Sequence, residues 1–185
     1  MACAENMPPE VMLRRAMRIG PDDCLAFAVN PAASIAGDPI LQCGQDVSIN
    51  SLVAAMFDPD GLVWISPAGL GDINELGCDD TNRTLNDLLA EVMGRTDDGG
   101  LFVNTWDDGA GAIDCDAPSC DDMNTTEQML RGCFMRLDNG ELRLRVVYTN
   151  TTGELACDDA IGSETLLRRA IHRIAPSRYA IRIAA

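Results

Sequence analysis

The chain has no lysine and a single histidine, His172, and only 4% of its residues are aromatic. One histidine leaves no partner for an imidazole relay and supplies at most one imidazole to a zinc site. With so few aromatics, the core must be made of Leu, Ile, Val, Met and Ala. No apolar run approaches the ~20 residues of a membrane-spanning helix. Met1–Glu10 has neither a basic start nor an apolar stretch, so the sequence predicts no secretory signal and folding in the cytosol. Several motifs are missing as well: G-x-S-x-G, the P-loop, G-x-G-x-x-G, the EF-hand loop and C-x-x-C. Nothing singles out a nucleophile or a nucleotide site.

Acid is abundant. The net charge is −15, and all fourteen basic residues are arginine, a bias expected of a GC-rich genome. A field of that sign repels nucleic-acid phosphates and anionic membranes, so neither is expected as a partner. The charge is also uneven. Residues 61–122 hold fourteen acids against Arg83 and Arg95, whereas residues 123–185 hold nine arginines against seven acids. The 46% apolar share is that of a globular chain.

The sequence repeats itself. Cys3, Cys43, Cys78, Cys120 and Cys157 are separated by 40, 35, 42 and 37 residues. Nine or ten residues after each stands an apolar pair: Met12-Leu13, Leu52-Val53, Leu88-Leu89, Met129-Leu130 and Leu166-Leu167. Four residues later comes a second pair: Ala16-Met17, Met56-Phe57, Val92-Met93, Cys133-Phe134 and Ala170-Ile171. The i, i+1, i+4, i+5 pattern predicts one buried helical face, with Leu89, Leu130 and Leu167 nearly fully buried. Ser48, Thr84 and Thr125 stand four residues before their pairs, at the expected N-cap, and Ser163 one residue nearer. Thr125 with Gln128 spells a capping box. The first unit has Pro8-Pro9, suited to a first turn. Turn sequences come next, Asp138-Asn139-Gly140 among them. Extended segments then run over Leu25–Val29, Leu62–Ile65, Leu101–Val103, Leu142–Tyr148 and Tyr179–Ile183. The last two alternate Leu or Ile with Arg, which predicts one buried and one wet face.

The predicted fold is α/β: five helix-turn-strand repeats in one domain, residues 1–185, with approximate units 1–38, 39–74, 75–114, 115–153 and 154–185. Helical crossovers favour parallel strands and right-handed connections. The units form either a compact layered domain or a short solenoid-like array, or are completed by other copies of the chain. The short helices favour the last.

The eight cysteines admit a disulfide framework, a local Cys115–Cys120 bridge or zinc. The register shared by Cys3, Cys43, Cys78, Cys120 and Cys157 favours buried, reduced thiols packed between units. Asp114, Asp116, Asp121 and Asp122 are Ca²⁺ candidates, although aspartates before a helix are also expected as caps. His172 is expected on the solvated side of the last helix. No catalytic residue and no cofactor is predicted. The alternating Arg143, Arg145 and Arg182 are candidate interface residues, meeting carboxylates of a neighbouring chain.

Thr125–Leu130 leading through Asp138-Asn139-Gly140 into Leu142–Leu144, and Ser163–Ile183, resemble segments of tailed-bacteriophage virion proteins such as tail appendages and head decorations. The resemblance implies a virion location, the cytoplasm being the other expectation, and transfers no functional residue. The function expected is that of a non-enzymatic structural or interaction protein, a homo-oligomer or part of a multi-protein assembly. The alternatives are a Ca²⁺-dependent extracellular binding module and a small hydrolase using carboxylates.

Overall fold

The computed structural model describes residues 9–20, 25–31, 62–66, 73–74, 76, 78–95, 101–109, 123–151, 153–155 and 162–184. Along them run α1 (Pro9–Ala16), β1 (Met17–Ile19), β2 (Leu25–Phe27), β3 (Val29–Pro31), β4 (Val63–Ser66) and β5 (Ile73–Asn74). Next come α2 (Cys78–Thr81), α3 (Leu85–Val92), β6 (Met93–Arg95), β7 (Leu101–Asp107), α4 (Thr126–Arg131) and β8 (Phe134–Leu137). The chain ends with β9 (Leu142–Thr149), β10 (Gly153–Glu154), α5 (Ser163–Arg169), β11 (Ile171–Ala175) and β12 (Arg178–Ala184). The fold is α/β with a mixed sheet, the class the sequence predicts.

Helices begin where short polar side chains satisfy the first free N–H groups. Thr84 Oγ1 accepts from Asp87 N at 3.2 Å, and Asp87 accepts from Thr84 N at 3.1 Å, so α3 opens on a capping box. Thr125 and Gln128 make the same pair at 3.2 and 2.8 Å. Ser163 does not cap α5; Gly162 does, with no side-chain bond. Gly162 stands four residues before the Leu166 pair, the spacing Thr84 and Thr125 keep. Ser48 and the second unit's helix segment lie outside the described residues.

Where the sequence predicts helix-turn-strand, four described segments run helix, strand, turn, strand. α1 passes directly into β1, and α3 into β6; β8 and β11 come almost as closely after α4 and α5. Each strand then turns back into an antiparallel hairpin, pairing β1 with β2, β6 with β7, β8 with β9 and β11 with β12. Asp138-Asn139-Gly140 is the turn of the β8–β9 hairpin, and Gly140 takes a φ of 87° there, which favours glycine. The second apolar pair of each unit therefore marks a junction between period 3.6 and period 2. Ala16, Val92, Cys133 and Ala170 end the helical side, while Met17, Met93, Phe134 and Ile171 begin the strands; all eight are buried.

The returning strands pair in parallel across units. Phe27 is registered with Ile183, Val29 with Val63, Ile65 with Val103, Thr105 with Leu144, and Val146 with Ile181. This path starts and ends on the strand 25–31, advancing two residues on each strand it crosses. Ala28 shows that β3 continues β2. Its N–H donates to Ala16 O at 2.6 Å, and its C=O accepts from Val63 N at 3.0 Å. In a strand both groups of one residue point to the same side, so β1 and then β4 lie on one side and β12 on the other. The parallel strands thus close on themselves, with a total stagger twice the strand number, which imposes a steep tilt.

Packing is a consequence of closure. α3 lies on β9, α4 on β12 and α5 on β2, each helix covering the strand of the next unit. Leu88, Met129 and Leu166 are fully buried against Val103, Val146, Ile181 and Leu25 in two core clusters. Leu89, Leu130 and Leu167 are only partly buried. The expected helix phase is therefore off by one residue: the helix ends at or just before the first residue of the second pair, so only the first residue of each pair faces the core as helix. A circle of five strands spaced ~4.8 Å apart cannot enclose helices ~10 Å in diameter. The helix-bearing face is therefore outside. The alternate face, with Ala28, Trp64, Asn104, Arg145 and Arg182 at equivalent positions, is inside. Neighbouring elements of the same chain pack on these described apolar faces.

Candidate functional site

Arg145 and Arg182 are 0% and 1% exposed. Sequence alone places them on a wet face and at a boundary between chains. Neither guanidinium reaches the surface, so neither can meet a carboxylate of another chain. Closure is the physical reason: a parallel sheet covered by helices and curled upon itself has no wet face.

Both guanidiniums instead serve the helix ends of their own units. Arg182 Nη1 donates to Arg169 O at 2.7 Å and to Ile171 O at 3.2 Å. Arg145 Nη1 lies 3.4 Å from both Gly132 O and Tyr179 O. Residues 132, 169 and 171 stand at the C-terminal ends of α4 and α5, where free carbonyls and the helix dipole favour a cation. Backbone bonds keep the same pattern, from Arg145 N to Cys133 O at 2.7 Å and from Arg182 N to Ala170 O at 2.8 Å. Arg145 Nε also lies 3.9 Å from Asp108 Oδ1.

Arg143 is mostly buried. Its Nη1 donates to Asn104 Oδ1 at 2.8 Å and its Nη2 to Glu141 at 2.5 Å, both within the chain. His172 is not helical. It stands on β11 with its Nδ1 3.2 Å from Arg182 Nη2.

A second polar cluster was not expected. Asp80, on α2, is buried, and Arg136 of β8 grips it with Nε at 2.9 Å and Nη2 at 2.6 Å. Arg136 Nη1 also reaches Glu91 of α3 at 2.8 Å. Arg83 bonds Glu91 as well and lies 3.6 Å from Asp80. Burial alone would raise the Glu91 carboxyl, but the hydrogen bonds from Arg136 and Arg83 outweigh it and hold the group below its usual range. Hydrogen bonds to Asp80 and Glu91 push the Arg136 guanidinium up. Two carboxylates held by two arginines make a structural clasp between α2, α3 and β8. The Glu91 carboxyl is moved away from the raised value a general acid needs at neutral pH. The sequence signal was thin: Asp79-Asp80 reads equally well as helix-capping acid.

Cys133 is a buried free thiol whose Sγ lies 3.4 Å from Met129 O; burial pushes the thiol well up. That fits the expected packing role at this position. Cys115, Cys120 and the Ca²⁺ candidates Asp114, Asp116, Asp121 and Asp122 lie outside the described residues. Among the described residues, no three His, Cys, Asp or Glu side chains gather as a metal site. No helix among them is long and apolar enough to cross a membrane. No family model, curated protein or solved structure matches the chain.

Proposed function

We propose that this protein is a non-enzymatic structural or interaction module of a larger assembly, built from a repeated helix–strand–strand unit, of which the described residues show four, with its parallel strands joined in a ring. The observation that carries the reading is the recurring register: each of the five parallel contacts enters a strand and leaves it two residues later. A symmetric frame of this kind repeats its outer surface unit by unit, which suits assembly, whereas a catalytic site needs an asymmetric group of residues. The polar clusters support the same reading. Arg145 and Arg182 hold helix ends, and Arg136 holds three elements together. The partner is protein. With Arg145 and Arg182 buried, contacts between copies or with other subunits rest on the acidic outer surface, which calls for a basic partner face. We carry forward the assembly and not the virion location, for which the fold offers no support. Light scattering on the purified chain tests the homo-oligomer directly. The expected mass is a multiple of 19.9 kDa that holds or rises as salt screens the like charge of the copies. A monomer at all concentrations and at high as well as low salt would refute self-assembly.

A further inference from the structure

We propose that the inward face of β4, β7 and β9 binds a small oxyanion, a carboxylate or a phosphate. Three buried polar atoms there have no hydrogen-bond partner: Ser66 Oγ, Trp106 Nε1 and Arg143 Nε. Ser66 is 0% exposed. The strand registers bring them together. Ser66 is paired with Asn104, Trp106 with Arg145, and Arg143 reaches Asn104 at 2.8 Å. All of these positions share one face across three adjacent parallel strands. The Thr105 hydroxyl, bonded to Ser66 O, ties β4 to β7 from the other face.

The missing partner is an acceptor. The indole N–H and the guanidinium Nε–H only donate, and the serine hydroxyl is free to donate. Buried donors left unmatched are unfavourable, and native structures keep few of them. Charge selects an anion. Arg143 and Arg145 face this region, and Arg182 comes next on β12, whose register with β9 places it beside Val147. Glu141, 2.5 Å from Arg143, and Asp108, 3.9 Å from Arg145, oppose them. The Arg143 Nε–H is a charged donor whose own partner is missing, and a charged donor favours an anionic acceptor.

Titrations of the whole protein with sodium phosphate and with sodium acetate, at ionic strength fixed by sodium chloride, test this by tryptophan fluorescence and melting temperature together. The expected result is a saturable fluorescence change and a rise in melting temperature with at least one of the two anions. Which anion it is separates phosphate from carboxylate. Ser66→Ala and Arg143→Gln should each weaken binding about tenfold or more, the effect of losing one charge-assisted bond, while Arg143→Lys retains part of it. If Arg143→Gln fails to fold, Ser66→Ala, which removes one oxygen, decides alone. Saturation by neither anion beyond the chloride control would mean that water fills the place and would overturn the proposal. So would unchanged affinity in Ser66→Ala.

Discussion

Leu88 and Leu89 are adjacent on α3, and their truncation separates the observed helix phase from the one the sequence suggests. Leu88 is fully buried against β7 and β9, whereas Leu89 is only partly buried. Leu88→Ala removes three buried carbon atoms, worth about 0.8 kcal/mol each in transfer free energy. It also leaves a cavity that the helix and sheet can only partly collapse. Together these predict a loss of about 3–5 kcal/mol. At Leu89 part of the side chain is already wet and no closed cavity forms, so Leu89→Ala should cost about 1 kcal/mol. For a chain of this length each kcal/mol shifts the melting temperature by about 2–4 °C. The two variants should therefore melt roughly 4–16 °C apart, with Leu88→Ala the lower. Urea unfolding monitored by far-UV circular dichroism should show the same order at unchanged m. Equal losses, or a larger loss at Leu89, would refute the packing of α3 against β7 and β9.

Asp80→Ala breaks the bidentate contact with Arg136 at a buried site, but Glu91 still holds the arginine; the expected cost is about 1–3 kcal/mol by urea titration, and no change would mean that the clasp is decorative. Glu91 has a lowered pKa in the folded state. Its contribution is therefore fully present above the unfolded value of about 4.5 and lost as pH falls through the folded value. Glu91→Gln should accordingly flatten the acid limb of a stability–pH curve below about pH 4.5, and an unchanged limb would contradict the network. Gly132→Ala places a Cβ 2.8 Å from Ser177 O, which is backbone. The variant should lower the melting temperature measurably, and wild-type stability would show that α4 does not press on the β11–β12 turn. Cys133 should resist Ellman's reagent in the native protein and react on unfolding, because burial raises its thiol; fast native labelling at this residue, mapped by mass spectrometry, would contradict its burial.

Much of the frame was legible because local chemistry states it. Thr84 and Thr125 announce their helices through a side chain that reaches only three residues ahead. The strand segments from Leu25, Leu101, Leu142 and Tyr179 were recognisable from apolar runs bounded by turns. What stayed hidden depended on neighbours far along the chain. A helix that passes into a strand with no break leaves its last apolar pair in either period, so β6, β8 and β11 are indistinguishable from helix ends and turns by local pattern. The Leu-Arg-Leu-Arg-Val alternation of β9 looks half-wet to any local rule. Only when β7 and β12 flank it, and the sheet curls inward, does Arg145 become fully buried. Asp80 and Arg136 lie on separate units, and nothing near either residue foretells the other.

The register of Phe27 with Ile183 joins an early strand to one made more than 150 residues later. As the chain leaves the ribosome, β2 and β3 carry one unmet row of backbone donors and acceptors until β12 exists. An exposed row of that kind is a template for the wrong partner, and the nearest candidate is the same strand of another nascent copy. Loop-closure entropy grows only slowly with length, so the final step is thermodynamically mild, yet contacts between distant residues slow folding. A chain truncated before β12 should therefore swap strands or aggregate rather than remain a shorter version of the native fold. Late arrival of the last strand would in that way act as a quality check on the whole.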